Sequence, residues 1–303
     1  MENVFLSLAP IALLGVLLNQ VLPNSNEARI NLNKMVLFAF LPALVFRTVM
    51  TCPIDINFLM IPVTAILTII SILVISLLAF HFLPIPNETK GAMILAASFG
   101  NVTSLGLPLL QKMFPWDLPD VTEVAVLFEL TKSSLNLSLG SMIAIFYGSQ
   151  EKVTFNKTVW EALKLPPIWA LVIALLWRSS NLPCPTFLIE SASIMSLAVP
   201  GMMILSLGMV LRFKVSKLMA MLIPVALLKL ALAPYIAFYY GSTLGLTGLT
   251  KEAVVIEAAM PSQILSFVIA GRFKLDEETL AFVICFDTIL SFITLPLIRM
   301  MLS

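Results

Sequence analysis

The hydrophobic residues of this chain gather in ten runs that short polar connections separate. Each run is close to the roughly 20 residues that an α-helix needs to cross about 30 Å of hydrocarbon. Only helices satisfy their own backbone polar groups in lipid at this length. The pattern therefore predicts an all-α polytopic membrane protein whose transmembrane helices lie at residues 3–21, 34–50, 58–82, 90–113, 121–148, 157–177, 187–210, 216–240, 250–271 and 277–301.

The composition agrees with a bilayer environment. Hydrophobic residues make up 59% of the chain and charged residues only 12%, which is too little charge to cover the surface of a soluble domain. A net charge of +1 argues against a nucleic-acid partner, and one histidine with three scattered cysteines argues against a metal cluster or a disulfide framework. Glu2 leads straight into the first run without a basic leader, so we expect a retained span.

The loops predict the orientation. With the N-terminus outside, eleven Lys and Arg residues fall on the inner side and five on the outer side, while Lys132 and Lys229 lie within spans. Because inner loops carry the excess of basic residues, we expect an integral protein of the cell membrane with both termini on the non-cytoplasmic side.

Two spans in matching positions carry helix breakers. The fourth reads "LAASFGNVTSLGLPLL" around Gly100 and Asn101, and the ninth reads "IEAAMPSQILSFVIA" around Pro261, Ser262 and Gln263. This similarity between the fourth and ninth spans divides the chain into halves at 1–150 and 151–303. Paired breaks in corresponding helices are the best sequence indication of a transporter's binding site. The freed backbone groups must face protein or a cavity. The half-helix N-termini suit a carboxylate, and the two amides can hydrogen-bond a substrate.

Other prolines within the spans, namely Pro42, Pro62, Pro200, Pro224 and Pro234, predict only kinks.

Ionisable side chains also fall at bilayer depth, where each costs at least about 2.5–3.5 kcal/mol. Most of them, together with the neutral Asn136 on the same helix face as Glu129, are candidates for ion coupling or for support of the binding site: Glu129, Lys132, Asn136, Lys229, Glu257 and Asp287. Two structural alternatives stay open. Glu129 and Lys132, three residues apart, can neutralise one another, and Lys229 can bond the carbonyls of a broken helix. Arg47 is expected to anchor its helix at the outer interface.

The stretches "GNVTSLGLPLL" (100–110) and "EAAMPSQILSFVIAGRFKLDEETLAFVICFDTILSFITLPLI" (257–298) resemble the auxin efflux carrier family, which includes plant auxin transporters and bacterial malonate/malate carriers. The resemblance implies an inverted repeat of five plus five helices. It also implies a scaffold at about 3–50 and 157–210, a transport domain at about 58–148 and 216–301, and a homodimer formed through the scaffold. Substrate would bind where helices four and nine cross, at Gly100, Asn101, Val102, Thr103, Pro261, Ser262 and Gln263, with elevator-type alternating access. Plant members have a proline where this chain has Gly100, so we expect a softer kink here.

These observations predict a secondary carrier of organic anions, either small carboxylates or auxin-like acids, rather than an enzyme. It would need no cofactor or metal beyond a possible coupling sodium ion or proton. No nucleotide-binding motif is present. The alternatives are a sodium-coupled carrier of the bile-acid symporter type, a transporter-like sensor, and an intramembrane enzyme. The last is disfavoured because His81 lies at a span end and Asp287 is the only aspartate within a span.

Overall fold

The computed structural model describes residues 2–51, 56–148, 166–180, 182–210, 219–263 and 265–302. Over these ranges the regular secondary structure is helical, and one isolated antiparallel bridge joins Gly100 to Ser262. The all-α prediction is therefore confirmed.

The helices are numbered after the ten predicted segments, with a and b for the halves of a broken helix. Their bounds are α1 Glu2–Val21, α2 25–51, α3 Ile56–His81, α4a Asn87–Ser98, α4b 102–113, α5 118–147, α6 Pro166–Ser179, α7 Thr186–Val210, α8 219–243, α9a Gly248–Ala258, α9b Leu265–Arg272 and α10 Glu277–Leu302.

The predicted boundaries need one clear correction. The second helix begins at Ser25 instead of residue 34, because a polar first stretch with Glu27 in its opening turn precedes the apolar part. Acidic side chains near a helix N-terminus favour helix formation. Because they are polar, however, a search for apolar runs does not detect this part of the helix. Residues 157–165 and 216–218 of the sixth and eighth predicted spans lie outside the described residues.

Five described helices are long and apolar enough to cross a membrane: Ser25–Thr51, Leu59–His81, Thr186–Ser206, Leu222–Thr243 and Glu277–Leu302. Shorter apolar helices lie at Pro10–Val21 and Pro166–Ser179, while α4 and α9 are interrupted. The protein is thus an integral membrane protein, and the count of ten crossings stays a prediction.

Four of the described helices contain a π-helical segment, at Val36–Phe40, Val102–Gly106, Asn136–Gly140 and Leu227–Leu232. Three of the segments end two residues before a proline, namely Pro42, Pro108 and Pro234. A proline inside a helix removes a hydrogen bond and clashes with the carbonyl four residues earlier. The wider π turn accommodates that clash. In contrast, α3 and α7 continue as α-helix through Pro62 and Pro200.

The helices pack as two groups. In the first group α7 packs on α1 and α2, and α6 packs on α2; the second group contains α3, α4a, α5, α8, α9a and α10. Within the first group, α1 and α7 cross with their backbones in contact, since a Cβ atom on Gly15 would lie 2.9 Å from the Cα atom of Gly208. Within the second group α4a is buried almost completely, and residues 92–97 have no exposed surface.

Candidate functional site

The breaks in α4 and α9 lie against each other and bond through their backbones. The amide of Asn101 donates to the carbonyl of Pro261 at 2.7 Å, and the amide of Gln263 donates to the carbonyl of Phe99 at 3.0 Å. These bonds flank the bridge between Gly100 and Ser262. The two breaks therefore satisfy each other's backbone groups, as a helix interruption within a bilayer requires. We call residues 99–101 and 260–263 the crossover.

Two side chains close the crossover on the side of α8 and α10. Lys229 Nζ donates to the carbonyl of Ala258 at 2.7 Å, at the C-terminal end of α9a. The hydroxyl of Ser262 bonds a carboxylate oxygen of Asp287. A cation at a helix C-terminus is stabilised by the helix dipole. The alternative reading of Lys229, as a ligand of broken-helix carbonyls, is therefore confirmed.

Gly100 lies directly under the Lys229 side chain. A Cβ atom at position 100 would lie 2.9 Å from Lys229 Nζ and 3.0 Å from Lys229 Cε. The expectation that glycine only softens a kink was therefore incomplete, because any larger residue here has to displace the Lys229 amine. The position of the Lys229 amine therefore requires glycine at position 100.

Glu129 joins α5 to the start of α4b. Its carboxylate accepts from Lys132 Nζ at 2.7 Å, from the backbone amide of Thr103 at 3.2 Å and from the hydroxyl of Ser133. The predicted ion pair of Glu129 with Lys132 is confirmed. The half-helix N-termini are expected to suit a carboxylate, and at Thr103 the backbone amide already bonds a carboxylate of the protein itself.

A cavity of about 210 Å³ lies against the crossover, between the two packing groups. Helices α2, α6 and α7 form one wall, and α4b, α5 and the crossover form the other. Asn101 lines the cavity, and within the described structure its Nδ2 atom has no hydrogen-bond partner although it is buried. The other polar lining residues are Asn33, Thr103, Ser104, Glu129, Lys132, Ser133 and Gln263.

Three oxygen-bearing side chains around the crossover keep unpartnered atoms among the described residues. Glu257 is fully buried, and neither of its carboxylate oxygens has a hydrogen-bond partner. It lies against Gly106, where a Cβ atom would overlap the carboxylate. Oδ1 of Asp287 and Oδ1 of Asn136 are also unpartnered, while Nδ2 of Asn136 lies 3.3 Å from Oε1 of Gln263. Unpaired buried oxygens are costly unless a proton or a cation joins them.

The family model described as "Membrane transport protein" matches residues 5–148 and 149–299, which together make up most of the chain. This chain belongs to that family, the auxin efflux carriers.

Two curated relatives from archaea agree with this membership. An uncharacterized transporter of Methanocaldococcus jannaschii is 25% identical over 274 residues, covering 88% of this chain and 87% of the relative. An uncharacterized transporter of Methanothermobacter thermautotrophicus is 26% identical over 295 residues, covering 96% of this chain and 95% of the relative.

In this member of the family the predicted site residues fall into two sets. Asn101, Thr103, Gln263, Glu129 and Lys132 line the cavity. The others pack around or behind the crossover: Gly100, Val102, Pro261, Ser262, Asn136, Lys229, Glu257 and Asp287.

Sequence reasoning missed Asn33, whose side-chain oxygen accepts from Ser206 at 2.7 Å. Its signal was a polar residue one position before a predicted span. It was missed because the helix was expected to begin after it.

Proposed function

We propose that this membrane transporter carries small organic anions and binds them in the cavity at the crossover. The observation that carries the proposal is the buried amide of Asn101, which lines the cavity and has an Nδ2 donor without an acceptor. An unsatisfied buried donor costs roughly 1–3 kcal/mol. A carboxylate oxygen of a bound substrate would recover that cost.

The cavity has hydrogen-bond donors, an apolar wall and a size suited to such a substrate. Lys132 has three ammonium donors, one of which bonds Glu129. Lys132 and Asn101 line the same cavity, so the other donors of Lys132 can be offered to the substrate there. Apolar side chains, including Leu41, Leu130 and Met203, cover the opposite part of the lining. A volume of about 210 Å³ suits a small carboxylate with a short hydrocarbon body.

The Asn101→Ala variant tests this site. A hydrogen bond to a charged group contributes about 1.5–3 kcal/mol, so the dissociation constant for the bound anion should rise roughly 10- to 100-fold. Malonate, malate and indole-3-acetate would be titrated by calorimetry into purified wild type and variant.

Asn19→Ala is the matched control, because Asn19 bonds Ser25 and does not line the cavity. Equal affinities in wild type and Asn101→Ala would refute the proposal.

We further propose elevator-type movement in an inverted repeat of five plus five helices, with halves at 1–150 and 151–303. The first packing group would be the scaffold, and the second would move with the crossover. Two features support this division. The cavity lies between the groups, and backbone hydrogen bonds join α4 to α9 within the moving group.

Labelling tests the movement. An impermeant maleimide should reach a cysteine introduced as Ser104→Cys from either side of the membrane, since the site would alternate between them. The background chain would have Cys52, Cys184 and Cys285 replaced by serine. Labelling from one side alone, under conditions of transport, would contradict alternating access.

We propose that Glu257 couples transport to a proton or a sodium ion. Around the crossover three carboxylates (Glu129, Glu257 and Asp287) face two ammonium groups (Lys132 and Lys229), so full ionisation leaves one excess negative charge. A buried ionised carboxylate without partners is costly. A proton or cation at Glu257 would remove that cost and favour binding of an anion.

The Glu257→Gln variant separates these possibilities. If the coupling ion is a proton, its anion flux in proteoliposomes should lose the wild-type dependence on pH. If the coupling ion is sodium, the flux should lose the wild-type dependence on sodium, and that result would favour the symporter-like alternative. Glu252→Gln is the control on the same helix, because Glu252 pairs with Arg299 away from the crossover. Coupling at Glu257 is excluded if the variant keeps both wild-type dependences.

The homodimer and the outward placement of both termini stay predictions. Light scattering of the purified protein and protease protection of terminal tags test them.

A further inference from the structure

A second cavity, of about 150 Å³, lies between the same two packing groups but at the other end of α2. We propose that it is a second anion site, in which Arg47 holds the carboxylate of the substrate after it leaves, or before it reaches, the crossover. The inference rests on the proposed function, since it takes the transported ligand to be a small organic anion.

Arg47 brings an uncompensated positive charge to this cavity. Its side chain is half-buried, and among the described residues it bonds only the hydroxyl of Ser196, at 3.3 Å. No carboxylate of the described chain lies within ion-pair distance of it. Arginine has five N–H donors in a planar fork that matches a carboxylate. Arg47, which is predicted from the sequence to anchor its helix at the outer interface, therefore also lines a cavity with a free guanidinium face.

The rest of the cavity lining is uncharged, with four polar residues and two leucines, Leu118 and Leu197. Thr48 and Thr51 follow Arg47 on α2, while Gln111 and Thr122 come from α4b and α5. Nε2 of Gln111 donates one hydrogen to the hydroxyl of Thr122 at 3.1 Å, which leaves the second N–H of Gln111 and the hydroxyl proton of Thr122 as donors. The Thr51 hydroxyl already donates to the backbone carbonyl of Arg47 at 2.9 Å, but the hydroxyls of Thr48 and Thr122 can donate to a bound carboxylate without adding a competing negative charge.

The position of Arg47 matches a step on the transport path. Asn33, in the first cavity, and Arg47 are fourteen residues apart on α2, or about 21 Å along the helix axis. Between them Leu44 and Val45 are buried, with 1% and 0% of their surface exposed. The interface between the two packing groups thus has a cavity suited to an anion at each end of α2. Closely packed apolar side chains separate the two cavities.

The C-terminus marks the Arg47 face of the protein. Near the end of α10, Cζ of Arg299 lies 4.9 Å from the ring centroid of Phe114, the residue that follows α4b. Gln111, in the last turn of α4b, lines the Arg47 cavity. A tag placed after Ser303 therefore identifies the face on which this cavity lies.

Binding stoichiometry tests the site directly. Equilibrium dialysis with radiolabelled malonate, at concentrations up to a few times the wild-type dissociation constants, should give two sites for each wild-type chain, one site for Arg47→Gln or Asn101→Ala, and none for the double variant. Lys251→Gln, which removes a positive charge outside the cavity, should keep two sites. Gln111→Leu, a partly exposed position on the opposite wall, should weaken the Arg47 site without affecting the crossover site.

Sided flux gives a second measurement. In vesicles captured through the C-terminal tag, Arg47→Gln should raise KM about tenfold for malonate added at the tagged face and leave KM at the opposite face within about twofold. Wild-type stoichiometry and KM in Arg47→Gln would overturn the second site. Binding lost in Arg47→Gln but unchanged in Asn101→Ala would support the second site and refute the crossover proposal.

Discussion

The contact between α1 and α7 allows a quantitative prediction with an internal control. Gly208 and Gly201 lie two turns apart on α7. A Cβ atom at Gly208 would collide with the carbonyl group of Ala12 and lie 3.0 Å from the Cα atom of Gly15. A Cβ atom at Gly201 would have nothing within 4 Å. The same substitution, glycine to alanine, should therefore have opposite outcomes at the two positions.

The magnitude follows from the atoms involved. The neighbours of Gly208 are backbone atoms, so relief requires α1 and α7 to separate, and forced overpacking of this kind costs about 1–3 kcal/mol. The gain in helix propensity from glycine to alanine, about 1 kcal/mol at most, is common to both variants and cancels in the comparison. We expect Gly208→Ala to be less stable than Gly201→Ala by about 1–3 kcal/mol.

Thermal unfolding in detergent measures the difference. At roughly 2–4 °C per kcal/mol for a chain of this size class, the melting temperature of Gly208→Ala should be several degrees below that of Gly201→Ala. Gly201→Ala should equal or exceed the wild type. Equal melting temperatures in the two variants would show that the backbones of α1 and α7 are not in contact. The support for a rigid first packing group would then be lost.

Two further predictions concern the second packing group. Gly100→Ala should displace the Lys229 amine from the crossover and reduce anion flux. The same change in a Lys229→Ala background should have little further effect, because the displaced amine is absent. Additive losses of flux in the double variant would contradict the steric coupling. At the start of α10, burial opposes the ionisation of Asp276, but hydrogen bonds from Thr279 and Thr89 hold its pKa below its ordinary value. The stability that Asp276 contributes should be complete at neutral pH. It should disappear as the pH falls below the pKa of an ordinary aspartate and through the lowered pKa of Asp276 in the folded protein. Asp276→Asn should therefore melt below the wild type at neutral pH and approach it in acid, and a difference that does not change with pH would exclude this linkage.

Much of the fold could be predicted because the bilayer restricts the chain to helices. Apolar runs located the helices, and the breakers at Gly100 and Pro261 located both interruptions. The early start of α2 was not predictable from hydropathy, because its first turns at Ser25–Met35 are polar. The π segments were also missed, since a proline in a span is compatible with a kink or a continuous helix, and only the packing determines where a π turn forms.

The candidate site could be predicted only in part. Asn101 and Gln263 were found because an amide beside a helix break has no ordinary structural role in lipid. The occupation of the Thr103 amide by Glu129 was hidden, since 26 residues separate them along the chain and only folding brings them together. The roles of Asn33 and Arg47 were hidden for a similar reason. A polar residue near the end of a span is typical of an interface until the packing shows that it faces a cavity.

The short antiparallel bridge at the crossover makes the length of each break as important as its composition. Successive side chains in an extended segment point to opposite sides, so adding or removing one residue between Phe99 and Asn101, or between Met260 and Gln263, would reverse which side chains face the cavity. Asn101 or Gln263 would then turn toward the protein interior even though every residue type was retained. Single-residue insertions and deletions should consequently be selected against at these two places, whereas the surface turns between helices can accept them.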